Sequence, residues 1–190
     1  MQDEKERILQ RLLLAVPHIG TMRVELAQWL LDHDDCGFDM KILFSRERPI
    51  SRNRKKIREI FLESGMDWLL QIDSDMGPPR DLLQMVHNEK DICSAGTRTI
   101  KGTEVLPLSM KRIGPMEYAV HNGNGLFQCD AVGTGCLLTS RKAMEAVEFN
   151  HVQDDIPAID FDWCNRAREA GFEVWYDSRF RVTQFTVAPV

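Results

Sequence analysis

Apolar runs alternate with stretches of helical period along most of this chain. Arg11–Val16 (RLLLAV) is a short apolar run stopped by Pro17, which predicts a buried strand. From Thr21 to about Asp32, Leu26, Trp29 and Leu30 share one face, predicting a helix capped by Thr21. Met40–Phe44 reads as a second strand. Arg52–Glu63 reads as a helix with Ile57, Ile60 and Phe61 inward and Gly65 as its C-terminal cap. Trp68–Ile72 is a third strand that runs straight into Asp73-Ser74-Asp75. Pro79 suits the start of a helix over Arg80–His87, and Asp91–Ala95 predicts a fourth strand. Thr97–Gly125 has no clear period, so it is expected as a mobile or acceptor-side loop region. Regular structure resumes at Leu126–Val132 and Cys136–Leu138, on either side of Gly133-Thr134-Gly135. Helices follow over Arg141–Glu148 and Asp160–Ala170, the latter stopped by Gly171, with a last strand over Glu173–Tyr176.

Strands alternating with helices predict an α/β domain with a mostly parallel central sheet flanked by helices. At 190 residues, one domain over 1–190 is expected. Hydrophobic residues at 43% exclude a disordered chain, and no apolar run approaches the roughly 20 residues of a membrane span. The polar, mixed-charge start Met1–Arg7 does not read as a secretion signal. The five cysteines, Cys36, Cys93, Cys129, Cys136 and Cys164, include no C-x-x-C pair. They read as reduced thiols in a cytoplasmic protein.

The net charge of −5 argues against a general nucleic-acid surface. Even so, Arg46, Arg48, Arg52, Arg54, Lys55, Lys56 and Arg58 crowd a short stretch opposed only by Glu47. Such a run is a solvated helix face, a nucleic-acid patch or a local site for a nucleotide diphosphate. Asp73 and Asp75 sit where open α/β sheets bind ligands, at the carboxyl end of a strand. Carboxylates at i and i+2 can converge on one Mg²⁺ or Mn²⁺; the plain alternative is a polar turn with two solvated acids. Asp32-His33-Asp34 has the same spacing but follows a helix, so it reads as a solvated helix end. There is no P-loop, G-x-S-x-G or H-E-x-x-H. Gly133 and Gly135 allow either an unusual loop beside a ligand or an ordinary tight turn. Asp160 and Asp162 read as helix-capping acids or, for Asp160, a catalytic base. Trp163 and Cys164 read as core.

Four segments together resemble a GT-A glycosyltransferase of the family 2 type. They are Val16-Pro17; Arg52-Asn53 with the helix leading to Trp68–Met76; Val132–Leu138; and Asp160–Ala167 continuing through Gly171 to Trp175–Asp177. The resemblance implies a nucleotide-binding α/β fold and transfer of a sugar from a nucleotide-diphosphate sugar. It implies Asp75 as metal ligand, with Asp73 beside it near the donor's ribose or sugar. It implies Pro17, Arg52 and Asn53 around the nucleotide, Gly133 and Gly135 near the donor sugar, and Asp160 as base in an inverting displacement. The cofactor would be Mn²⁺ or Mg²⁺. The acceptor is a sugar, lipid, protein or nucleic-acid base, and a homo-oligomer could complete its pocket. Two positions depart from the family: Ile159 replaces a Glu, and Gln184 stands where many members carry a metal-binding His. A nucleotidyltransferase and a non-catalytic nucleotide-sugar-binding domain are the alternatives.

Overall fold

The computed structural model describes residues 10–33, 37–101, 104–115, 117–150 and 156–185; the Met1–Arg7 stretch, Asp34 and Cys36 lie outside them. The chain runs β1 (Arg11–Pro17), α1 (Val24–Asp32), β2 (Asp39–Ser45), α2 (Ile50–Ser64), β3 (Trp68–Ile72) and β4 (Met76–Gly77). A 3-10 helix, Leu82–Asn88, leads to β5 (Ile92–Gly96). Then come β6 (Arg98–Lys101), β7 (Glu104–Pro107), β8 (Ser109–Arg112), β9 (Tyr118–Val120), β10 (Leu126–Cys129), β11 (Ala131–Val132) and β12 (Cys136–Ser140). The chain closes with α3 (Arg141–Ala146), α4 (Ile156–Glu169), β13 (Val174–Arg181) and β14 (Thr183–Gln184).

Seven strands form the central sheet in the order β10-β13-β5-β12-β3-β1-β2. The expected α/β class holds, but the sheet is mixed rather than mostly parallel. Three pairings are parallel (β1–β2, β1–β3, β13–β5) and three antiparallel (β10–β13, β12–β3, β12–β5). The reason is β12. The Gly133–Gly135 loop turns the chain at the carboxyl end of β3, so β12 runs back down between β3 and β5.

The unbroken apolar run of β1 follows from burial on both faces. Leu13 and Ala15 pack with Ile57 and Phe61 of α2 and Trp163 and Ala167 of α4. Leu12, Leu14 and Val16 face the other way, onto Leu26, Trp29 and Leu30 of α1. Phe149 stacks on Trp163 at 5.1 Å. Cys164 and Trp163 are fully buried, as expected of core residues. Cys93, Cys129, Cys136 and Cys164 are free and buried. Burial pushes the Cys93 and Cys129 thiols up to about 12, so they behave as small apolar side chains.

Four boundaries differ from the pattern's prediction. Thr21 does not cap α1: Arg23 is extended, its N–H donates to Ser74 O at 2.9 Å, and the helix begins at Val24. The stretch after Pro79 forms a 3-10 helix rather than an α-helix. Thr97–Gly125 carries β6–β7 and β8–β9 hairpins, with β11 joining β8. Their strands of three or four residues are too short to show a period. Finally, α4 starts at Ile156, because Pro157 is tolerated in a first turn where its missing N–H has no partner to lose. Asp160 therefore sits inside the helix rather than opening it. No helix of the described residues is long and apolar enough to cross a membrane.

Gly65 ends α2 in the left-handed region at φ +73°, as the pattern predicts. Gly65→Ala should destabilise the fold by about 1 kcal/mol. Urea unfolding checks this; an unchanged midpoint would mean that the cap is not strained by a side chain.

Candidate functional site

Strand β3 stops at Ile72, but its pairing with the returning chain goes one residue further: the Asp73 N–H donates to Gly135 O at 2.8 Å. A tight turn follows, closed by Met76 N–H on Asp73 O at 3.0 Å, and β4 then pairs with β14. That pairing brings the end of the chain to the acidic turn. Phe185 N–H donates to Asp75 O at 2.9 Å, and Gln184 Nε2 donates to Asp75 Oδ2 at 3.3 Å.

Asp73 has a different partner. Arg54, on α2, reaches across with Nη2 at 3.2 and 3.4 Å from the two Asp73 carboxylate oxygens, while its Nη1 donates to Gln71 Oε1 at 3.3 Å. The Arg54 side chain is 3% exposed, against 28% for Asp73. Loss of solvent pushes the Asp73 carboxyl up to about 6. The Arg54 charge opposes that rise, and the like charges of Asp160 and Asp75 add to it.

Asp160 is held from the glycine loop. Thr134 donates its N–H to Asp160 Oδ2 at 3.0 Å and its hydroxyl to Oδ1 at 2.5 Å. Both donors come from one fully buried residue, so the carboxylate has a fixed orientation. The flanking glycines are needed for room. A Cβ on Gly133 would come within 2.9 Å of Leu108 Cδ1. One on Gly135 would overlap Met76 Cε and lie 3.3 Å from Asp73 Oδ2. Neither glycine is among those with positive φ, so turn conformation does not require them.

These groups line one cleft of about 350 Å³. Arg54, Asp73, Thr134, Asp160 and Gln184 supply its polar side, and Ile50, Leu108, Ile159 and Phe161 its apolar side. Phe161 is backed by Tyr118 of β9, ring to ring at 4.8 Å, and the Tyr118 hydroxyl donates to Asn165 Oδ1 at 2.7 Å. An oriented carboxylate, a buried guanidinium and a second acid in a part-apolar cleft of this size suit a polar small molecule.

No protein-family model and no curated protein matches the chain. Solved structures do. The crystal structure of A197 from STIV superposes with a TM-score of 0.68 at 18% identity, covering 94% of this chain and 87% of that one. GalNAc-T7 with UDP, GalNAc and Mn²⁺ gives 0.57 at 9% identity, over 95% of this chain and 45% of that one. UDP-glucose pyrophosphorylase complexed with UDP-glucose gives 0.50 at 10% identity, over 94% and 93%. The chain has a GT-A-like fold. This chain spans less than half of the GalNAc-T7 chain.

Within this GT-A-like fold the cleft gathers Asp73, Gly133, Gly135 and Asp160 of the expected site residues, with Asp75 on the adjoining turn. Three others are placed elsewhere. Pro17 ends β1 opposite Ser45. The Arg52 side chain is 68% exposed and pairs loosely with Glu47 at 3.9 Å. Asn53 is buried, its Nδ2 donating to Ser45 O at 3.0 Å, so it ties α2 to the end of β2. Residues 52 and 53 follow helical geometry, and one residue further round the helix it is Arg54 that faces the cleft.

The basic run is thus divided. Arg54 serves the cleft, and Arg58 binds Met144 O, Glu145 O and Glu148 near the end of α3. Arg52, Lys55 and Lys56 line a separate surface depression with Glu47 and Glu59. Arg54 and Thr134 were not singled out by motif. The only signal for Arg54 was its place in the run, and for Thr134 its place between two glycines.

Asp73 should titrate near 6 in the folded protein, as read from its carboxyl ¹³C shift. Arg54→Met should move that midpoint higher and Arg52→Met should not. The sign for stability follows: an acid raised from 3.8 contributes stability below about 4 that is lost as pH rises through about 6. A midpoint near 4 would mean that the carboxylate is not desolvated.

Proposed function

We propose that this chain transfers a glycosyl group from a nucleotide-diphosphate sugar to an acceptor hydroxyl, in the manner of family 2 GT-A enzymes and with inversion. The observation that carries the reading is the meeting of Asp73, Asp160 and the Gly133–Gly135 loop in one cleft beside Asp75 at the carboxyl end of β3. That is where open α/β sheets take their ligands. The fold likeness to the GalNAc-T7 complex with UDP, GalNAc and Mn²⁺ agrees with a donor and metal of this kind.

Among the described residues no three His, Cys, Asp or Glu side chains converge on one point. The donor set still suits a hard cation that draws its other ligands from water and substrate phosphates. Asp75 would hold it, on a turn that Gln184 already meets through its amide nitrogen. A bound Mg²⁺ or Mn²⁺ would offset charge on the departing diphosphate. Asp73 differs from Asp75 in being engaged by Arg54, which leaves it to face the donor rather than to close a three-acid cage. Asp160, oriented by Thr134, would take the acceptor's proton as its oxygen attacks. The apolar wall would exclude water from that encounter.

Thermal shift with UDP, GDP, CDP, ADP and dTDP, each with and without Mn²⁺, tests this reading. One nucleotide should stabilise the fold by about 2.7 kcal/mol at a hundredfold excess over its dissociation constant, in a metal-dependent way. Asp75→Ala should abolish the metal dependence. Asp160→Asn should keep donor binding and lower transfer by about 10²-fold or more. Release of a nucleoside diphosphate rather than pyrophosphate separates glycosyl from nucleotidyl transfer. No shift with any nucleotide would overturn the proposal.

A further inference from the structure

Strand β2 ends the central sheet: among the described residues β1 is its only partner, so its outer edge carries unpaired backbone N–H and C=O groups. Proteins blunt such an edge with proline, bulges, shortness or charged side chains. Of these β2 has only Asp39 and Lys41. It spans seven residues, DMKILFS, in unbroken register with β1 and with no proline. Its register sets Met40, Ile42 and Phe44 beside Leu12, Leu14 and Val16, on the α1 side of the sheet. Yet α1 does not cover them fully, since Ile42 is 39% and Phe44 52% exposed. Six of the seven large exposed hydrophobics among the described residues belong to β2, α1 or the loop between β1 and α1: Ile19, Met22, Val24, Leu31, Ile42 and Phe44. The seventh, Ile113, lies in the turn after β8.

The β2 sequence is complementary to itself. In an antiparallel pair of copies centred on Ile42, Met40 lies opposite Phe44 twice and Ile42 opposite Ile42. All three are on one face, which is the pairing that stabilises adjacent strands. On the other face Lys41 meets Leu43, and Asp39 meets Ser45. The strand's two charges, Asp39 and Lys41, cancel, so no like charges are opposed. Sliding the pair to centre on Lys41 would set Lys41 against Lys41, which penalises that register. A two-fold axis through Ile42 keeps α1 of both copies on one face of the joined sheet and α2 of both on the other.

We infer that β2 is a dimer edge, and that a second copy of this chain pairs with it antiparallel about Ile42 to make one continuous sheet. The site proposed above lies at the carboxyl end of β3 and takes no part in this contact, so the two readings stand or fall separately.

Sedimentation equilibrium of the full chain at micromolar concentrations tests the inference. The expected mass is twice the 21.9 kDa of one chain. Ile42→Lys should give the single-chain mass with an unchanged circular dichroism spectrum, and Phe44→Lys serves if Ile42→Lys fails to fold. Ile113→Lys, away from the patch, should remain a dimer. Hydrogen exchange should show β2 amides protected in the wild type and open in Ile42→Lys. A wild type that stays single-chain at every concentration overturns the inference. So does a dimer that Ile42→Lys and Phe44→Lys leave intact. Protected β2 amides in a single-chain wild type would show that another segment of the chain covers the edge, which also overturns it.

Discussion

A carboxylate at the mouth of a sheet, partly withdrawn from water, needs a compensating charge, and among the described residues Arg54 supplies it to Asp73. The requirement shapes everything around it. Arg54 is buried, so α2 must present its fifth residue to the cleft, and Gln71 must turn its amide oxygen inward to share the guanidinium. Removing either partner of such a pair strands a buried charge, which typically costs about 3–5 kcal/mol. Replacing both with well-packed apolar groups is often neutral. The pair is therefore weak evidence for stabilisation of the fold.

The same economy of space governs the loop opposite. Gly135 passes so close to Met76 and Asp73 that no side chain fits without displacement. Thr134 is thereby pressed toward α4, where it fixes Asp160 through two donated bonds. Gln184 arrives by a separate route, carried by the β14–β4 pairing to Asp75. Arg54, Asp73, Thr134, Asp160 and Gln184 thus bring five separate segments of the chain to one cleft. Precise placement of this kind suits a site where reacting groups must be held in one geometry.

Much of the architecture was legible in the residues. Strands β1 and β3 announce themselves as largely apolar runs because both faces of each are covered. Gly65 marks the end of α2, and Asp73 and Asp75 stand out because they end a strand. What stayed hidden has physical causes. The strands β6 to β9 are too short for alternation to register. The direction of β12 is set by a long-range pairing that no local pattern encodes. Arg54 is one cation among seven in the run, and only the helix's angular position selects it over Arg52. Asp160 looks like a helix cap until Pro157 is seen to belong to the first turn.

The cleft at the end of β3 is proposed above as the donor site. The measurement that bears on it most directly is a crystal structure of the chain grown with Mn²⁺ and the nucleoside diphosphate it binds. The account predicts a manganese anomalous peak beside Asp75 and diphosphate density between it and the Gly133–Gly135 loop. Nucleotide density instead on the Arg52–Lys56 depression, with no manganese at Asp75, would contradict it.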